Sequence, residues 1–139
     1  MFFPETDQTM GFQLWSPDGT EIAVEVMRDG NTFLGIMPAA GGAVRMLVET
    51  PGQTWPGSYS PDGEWLAAAI ERGGGWALAR IRRRDGEVRV WLEESPARNF
   101  LRYPAWSPRD DQVVYEQFET RGNLYLADLA ARKIEPQQP

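Results

Sequence analysis

The sequence predicts an all-β fold assembled from three four-stranded antiparallel sheets, and three observations predict it. The first is a repeat: Trp15-Ser16-Pro17-Asp18-Gly19 recurs as Tyr59-Ser60-Pro61-Asp62-Gly63 and, in altered form, as Trp106-Ser107-Pro108-Arg109-Asp110. The second is spacing. Ser16 and Ser60 lie 44 residues apart and Ser60 and Ser107 lie 47 apart, longer than a two-helix repeat and near the roughly 40–45 residues of a four-stranded unit. The third is periodicity: residues 22–26, 66–70 and 113–117 share one register from the serine, with the larger apolar residues mostly at every second position, as a strand requires.

Each repeat divides in the same order. A short strand precedes the serine, at 11–14, 53–58 and 102–105. Ser-Pro-Asp-Gly then turns the chain, because Pro presets φ, Asp binds nearby backbone N–H groups and Gly accepts positive φ. The second strand follows. A further turn at 28–31, 71–75 and 120–123 leads to third strands at 32–37, 76–81 and 124–127. Gly41-Gly42 and Asp85-Gly86 turn the chain again, into fourth strands at 43–48 and 87–92. The repeats thus cover about residues 11–48, 53–92 and 102–139. The period matches the blade of a β-propeller.

The fourth strand of repeat three falls on 134–139, a poor strand: Pro136 and Pro139 cannot donate ladder hydrogen bonds, and Gln137 and Gln138 bring no apolar face. Phe2 and Phe3 stand where the end of an outer strand would stand before Ser16. They are therefore expected to complete the third repeat's outer strand, in a ring of separate chains that of a neighbouring copy.

Composition excludes several kinds of chemistry. The chain has 139 residues, no Cys and no His, so disulfides, thiolate nucleophiles, imidazole ligands and Ser-His-Asp catalysis are out of reach. A net charge of −6 repels phosphate backbones, so nucleic acid is not an expected partner. No apolar run approaches the roughly 20 residues of a spanning helix. Residues 1–10 lack the basic and apolar regions of a signal peptide, which makes the cytoplasm the default location, with the periplasm or a place in a longer protein left open.

The chain resembles tandem TolB-like propeller repeats, WD-repeat-like units marked by an aromatic-Ser-Pro-Asp-Gly corner, an apolar strand, a turn and a strand ending in Asp. That last Asp is matched at Asp128 but replaced by Pro38 and Arg82. The resemblance implies a non-enzymatic scaffold that binds a protein or peptide. The alternative is a propeller piece that gates or docks substrate for a hydrolase or kinase domain outside this chain, although no Gly-x-Ser-x-Gly elbow occurs here. No catalytic, cofactor or metal residues are assigned.

Other features have plain structural readings. Trp15, Tyr59 and Trp106 share one register and read as packing anchors, while Ala67, Ala68 and Ala69 permit close approach between sheets. Glu25 and Glu116 are equivalent, with Ala69 between them in the second copy, and read as partners of an Arg or water between blades. Asp18 and Asp62 read as turn residues, and 73–75 as a hairpin turn. Arg80, Arg82 and Arg84 would share a face for an acidic partner if their strand ran that far, with Glu87, Glu93 and Glu94 near enough to neutralise them. Trp55, Trp76 and Trp91 have no repeated counterpart, so they are candidates for stacking a ligand.

Three blades leave two sheet faces uncovered, and propellers close with about four to eight. Two identical chains joined head to tail would give six blades, the number the resemblance implies, and three would give nine. A homodimeric ring is therefore expected, with Phe2, Phe3 and Val24 as interface candidates.

Overall fold

The computed structural model describes residues 9–93, 99–109, 111–119, 124–128 and 133–137. Phe2 and Phe3, and the expectation attached to them, lie outside the described residues. Among the described residues two blades are complete. The first runs β1 (Thr9–Trp15), β2 (Glu21–Arg28), β3 (Asn31–Pro38) and β4 (Arg45–Val48), paired antiparallel in that order. The second repeats the order with β5 (Thr54–Tyr59), β6 (Trp65–Arg72), β7 (Gly75–Arg82) and β8 (Val88–Glu93).

The third repeat is described as two ladders, β9 (Asn99–Trp106) with β10 (Val113–Glu119) and β11 (Leu124–Asp128) with β12 (Lys133–Gln137). The expected poor strand at 134–139 is corrected here: β12 forms and pairs along its length with β11. Pro136, opposite Tyr125, is tolerated because β12 has β11 as its one neighbour among the described strands, and an edge strand can lack a donor.

Alternation along each strand separates the two faces of a blade. In the second blade Leu66 pairs with Tyr59 and Ile81, and these three face the first blade with Ala23, Leu34 and Ile36. One residue out of phase, Ala69 pairs with Trp55 and Leu78 and meets Leu101 of β9. Ala67, Ala68 and Ala69 are all fully buried, so the middle of β6 carries small side chains on both faces and the flanking sheets close in. Each large aliphatic side chain so enclosed contributes about 1.5–3 kcal/mol.

The first blade keeps one face outside this sandwich. Val24, Val26 and Phe33 are buried there, packed with Ile22, Met37, Val44 and Met46. Val24, the interface candidate, is only 2% exposed.

Candidate functional site

The repeated corner is built around its serine. Ser16 Oγ accepts from the Glu21 N–H (3.0 Å) and donates to Asp18 Oδ1 (2.7 Å), which itself accepts from the Thr20 N–H (2.9 Å). Ser60 repeats this with the Trp65 N–H (3.0 Å) and Asp62 (2.5 Å), and Asp62 with the Glu64 N–H (2.9 Å). Gly19 and Gly63 sit at φ +70° and +72°, where a side chain would strain the backbone. Both Ser16 and Ser60 are 3% exposed. In the third copy Arg109 replaces the aspartate, and Ser107 Oγ accepts only a longer bond from the Arg109 N–H (3.3 Å) among the described contacts.

Corner aromatics point toward the preceding blade. Tyr59 is 9% exposed against the first blade, and Trp106 meets Trp91 of β8 edge to face at 4.9 Å. Trp15, paired with Ile22 on the uncovered face of the first blade, is 63% exposed.

A charged recess of about 590 Å³ lies between the first two blades at the corner end, lined by residues that include Glu21, Arg45, Asp62, Trp65, Arg82 and Arg83. Its charges largely satisfy one another. Arg83 reaches across to Asp18 (2.9 Å) and Glu21 (2.6 Å), and its guanidinium, with help from Ser16 and Thr20, holds the Asp18 carboxyl well below the usual carboxylate range. Ser60 and the Glu64 N–H lower Asp62.

The expected three-arginine face is corrected: β7 ends at Arg82, so Arg84 does not continue the alternation. Arg82 is bound by Asp85 (2.8 Å) and Glu87, and Arg84 by Asp85 (3.4 Å). Arg80 lies over the Trp65 ring, 4.6 Å from its centroid. Arg72 pairs with Glu93 at 3.6 Å.

A second recess, of about 360 Å³, opens on the innermost strands of all three repeats. Phe12, Glu25, Trp55, Pro56, Arg102 and Tyr103 line it. Phe12, Pro56 and Tyr103 each stand four residues before a corner serine. Beside each of them the register slips: between Met10 and Gln13 in β1, between Pro56 and Ser58 in β5, and opposite 114–116 in β9. A bulge re-aims the side chains at its site.

Phe12 is 49% and Tyr103 63% exposed, and Tyr103 holds φ at +50°, a costly conformation for a bulky residue. Glu25 is half-buried, and burial pushes its carboxyl up while the Phe12 N–H pulls it back down. No cation pairs with Glu25 among the described residues.

Glu116, its repeat equivalent, is exposed, stands opposite Arg102 in the ladder and does not line the recess. Sequence reasoning singled out Glu25 and Trp55 and missed Phe12, Pro56 and Tyr103. Their signal was the shared offset from the serine, hidden because the three residue types differ. The other unmatched tryptophans take packing positions: Trp76 stacks on Trp55 at 4.1 Å and is 9% exposed, and Trp91 packs on Trp106. The 73–75 segment is a hairpin turn, with Gly73 and Gly74 at positive φ.

No family model matches the chain. Its structure is similar to that of a protein assigned as a TolB of Agrobacterium tumefaciens, with a TM-score of 0.69 and 23% identity over 94% of this chain and 50% of the other. It is similar also to TolB of Acinetobacter baumannii, with a TM-score of 0.67 and 19% identity over 93% of this chain and 32% of the other. The chain thus spans half the length of the first and about a third of the second. These likenesses give the cytoplasmic default no support. The chain has a TolB-like β-propeller fold, present as an arc of blades rather than a closed ring.

Proposed function

We propose that the chain is a non-enzymatic half-propeller whose ring is completed by a second copy, and that the ring serves as a scaffold for a protein or peptide bound on the inner-strand side. One observation carries the reading. The corner aromatic is covered by the preceding blade in the second and third repeats, yet Trp15 is 63% exposed beside an apolar sheet face. At the other end of the arc Val114, the repeat equivalent of the fully buried Ala23 and Ala67, is 70% exposed. The two ends offer the two unlike halves of a blade-to-blade contact, which is a heterologous interface that a ring satisfies. A binding role fits a recess walled by the aromatic rings of Phe12, Trp55 and Tyr103, with Glu25 and Arg102 as its charged side chains.

Light scattering at micromolar concentration tests the ring. The expected mass is about twice 15.7 kDa, falling to one chain for Trp15→Glu, a substitution at an exposed site that leaves the blade's own core intact. Val24 is too enclosed to serve as this probe. A folded single chain would overturn the ring, and three chains would replace six blades by nine.

A further inference from the structure

We propose that the recess on the inner strands takes the cationic side chain of an arginine or lysine presented by a peptide, held between the rings of Phe12 and Tyr103 with its charge against Glu25. This rests on the reading of the inner strands as the binding side, and it does not depend on how the ring closes.

Five observations converge on a cation. Glu25 keeps a half-buried carboxylate at the recess, lowered by the Phe12 N–H alone, and forms no ion pair with another described residue, although Arg102 lines the same recess. A partly desolvated carboxylate gains most from a charge-assisted partner. Phe12 and Tyr103, 49% and 63% exposed, present aromatic surface on two different blades, and such rings attract cations through their negative faces.

The same wall already accepts one guanidinium. Arg102 lies 5.6 Å from the Trp55 centroid and 5.2 Å from that of Phe100. The chain's net charge of −6 adds long-range attraction for a basic partner and repulsion for an acidic one. Tyr103 points the same way. Its ring is held at the recess by a backbone at φ +50°, a conformation that packing alone gives no reason to keep, since the side chain is mostly in water. Bulges at one height in β1, β5 and β9 bring residues from three repeats to one place, so a ligand there would touch every described blade.

The probes are two capped tripeptides, acetyl-Gly-Arg-Gly-amide and its citrulline counterpart, which keeps the shape and loses the charge. Amide NMR shifts of Phe12 and Glu25 report binding to the full chain. The arginine peptide is expected to bind at least about tenfold more tightly than the citrulline peptide. Glu25→Gln, which still accepts from the Phe12 N–H, should reduce the arginine peptide to the citrulline level. Phe12→Leu should weaken it further, and Glu64→Gln, at an exposed carboxylate outside this recess, should change nothing.

Equal binding of the two peptides would overturn the proposal, as would indifference to Glu25→Gln, tighter binding of a glutamate peptide, or no shift at saturating peptide. A chain that binds the arginine peptide but stays single fails the ring alone. A closed ring that ignores the peptide fails this inference alone.

Discussion

Arg83 of the second blade donates to Asp18 of the first at 2.9 Å and to Glu21 at 2.6 Å, so one guanidinium bridges a corner turn and the strand that follows it. It also donates to Thr20 Oγ1 at 2.9 Å. Arg45 of the first blade braces the turn that carries Arg83, donating to the Arg83 carbonyl at 2.9 Å.

Arg83→Met should keep the aliphatic stem and remove the bridge. The melting temperature is expected to fall by about 3 °C at pH 7 and low salt, and by less in 1 M NaCl, where exposed charges are screened. Asp18 sets the pH dependence. Its folded value is depressed below the ordinary 3.8, so its contribution is complete above that value and is lost as pH falls below it toward the folded value. Melting curves of both proteins from pH 7 to pH 2 should therefore run parallel until about pH 4 and then converge; a constant gap down to pH 2 would remove Asp18 from the account.

Ser60→Ala should cost more than Ser107→Ala. Ser60 is 3% exposed and serves both the Trp65 N–H and Asp62, so its loss leaves a buried donor without a partner, at about 1–2 kcal/mol. Among the described contacts the Ser107 hydroxyl accepts one long bond, from the Arg109 N–H at the surface, and its loss should stay within about 0.5 kcal/mol. Urea denaturation of the two variants decides the matter, and equal costs would show that the corner serine acts through something other than these hydrogen bonds.

Gly57→Ala tests the contact between the second and third blades. A Cβ there would overlap the Pro104 carbonyl of β9, backbone that cannot swing aside, so a loss of about 1–3 kcal/mol is expected. Gly73→Ala is the comparison, at φ +60° with open space around it, and should cost about 1 kcal/mol from backbone conformation alone. The first variant, unlike the second, should also expose β9 and β10 to limited proteolysis. Similar proteolysis of both would show that the blades do not depend on that close approach.

The architecture was legible because its signals are local. Pro-Asp-Gly sets a turn wherever it stands, and alternation such as Ile22, Val24, Val26 names a strand and its two faces without reference to neighbours. The bridge of Arg83 was not legible, since Ala39 stands at its position in the first repeat and only three-dimensional closeness joins it to Asp18. Arg84 was misplaced for a related reason: where β7 stops depends on the turn that Asp85 and Gly86 complete with Arg82, which accepts from the Gly86 N–H at 2.8 Å. The inner-strand recess stayed hidden because bulges break the period-two register on which strand reading depends.

The bridge from Arg83 joins only the first and second blades, whereas the second and third are joined by the Trp91–Trp106 pair and the Gly57–Pro104 approach. Tandem units of one shape risk docking on the wrong neighbour as they form. Here the contacts act as addresses. A second blade that met the third blade's corner in place of the first would set Arg83 against Arg109, a like charge where Asp18 belongs. The divergence that blurs the repeat in the sequence thus makes the two junctions chemically unlike, each held by contacts that the other lacks.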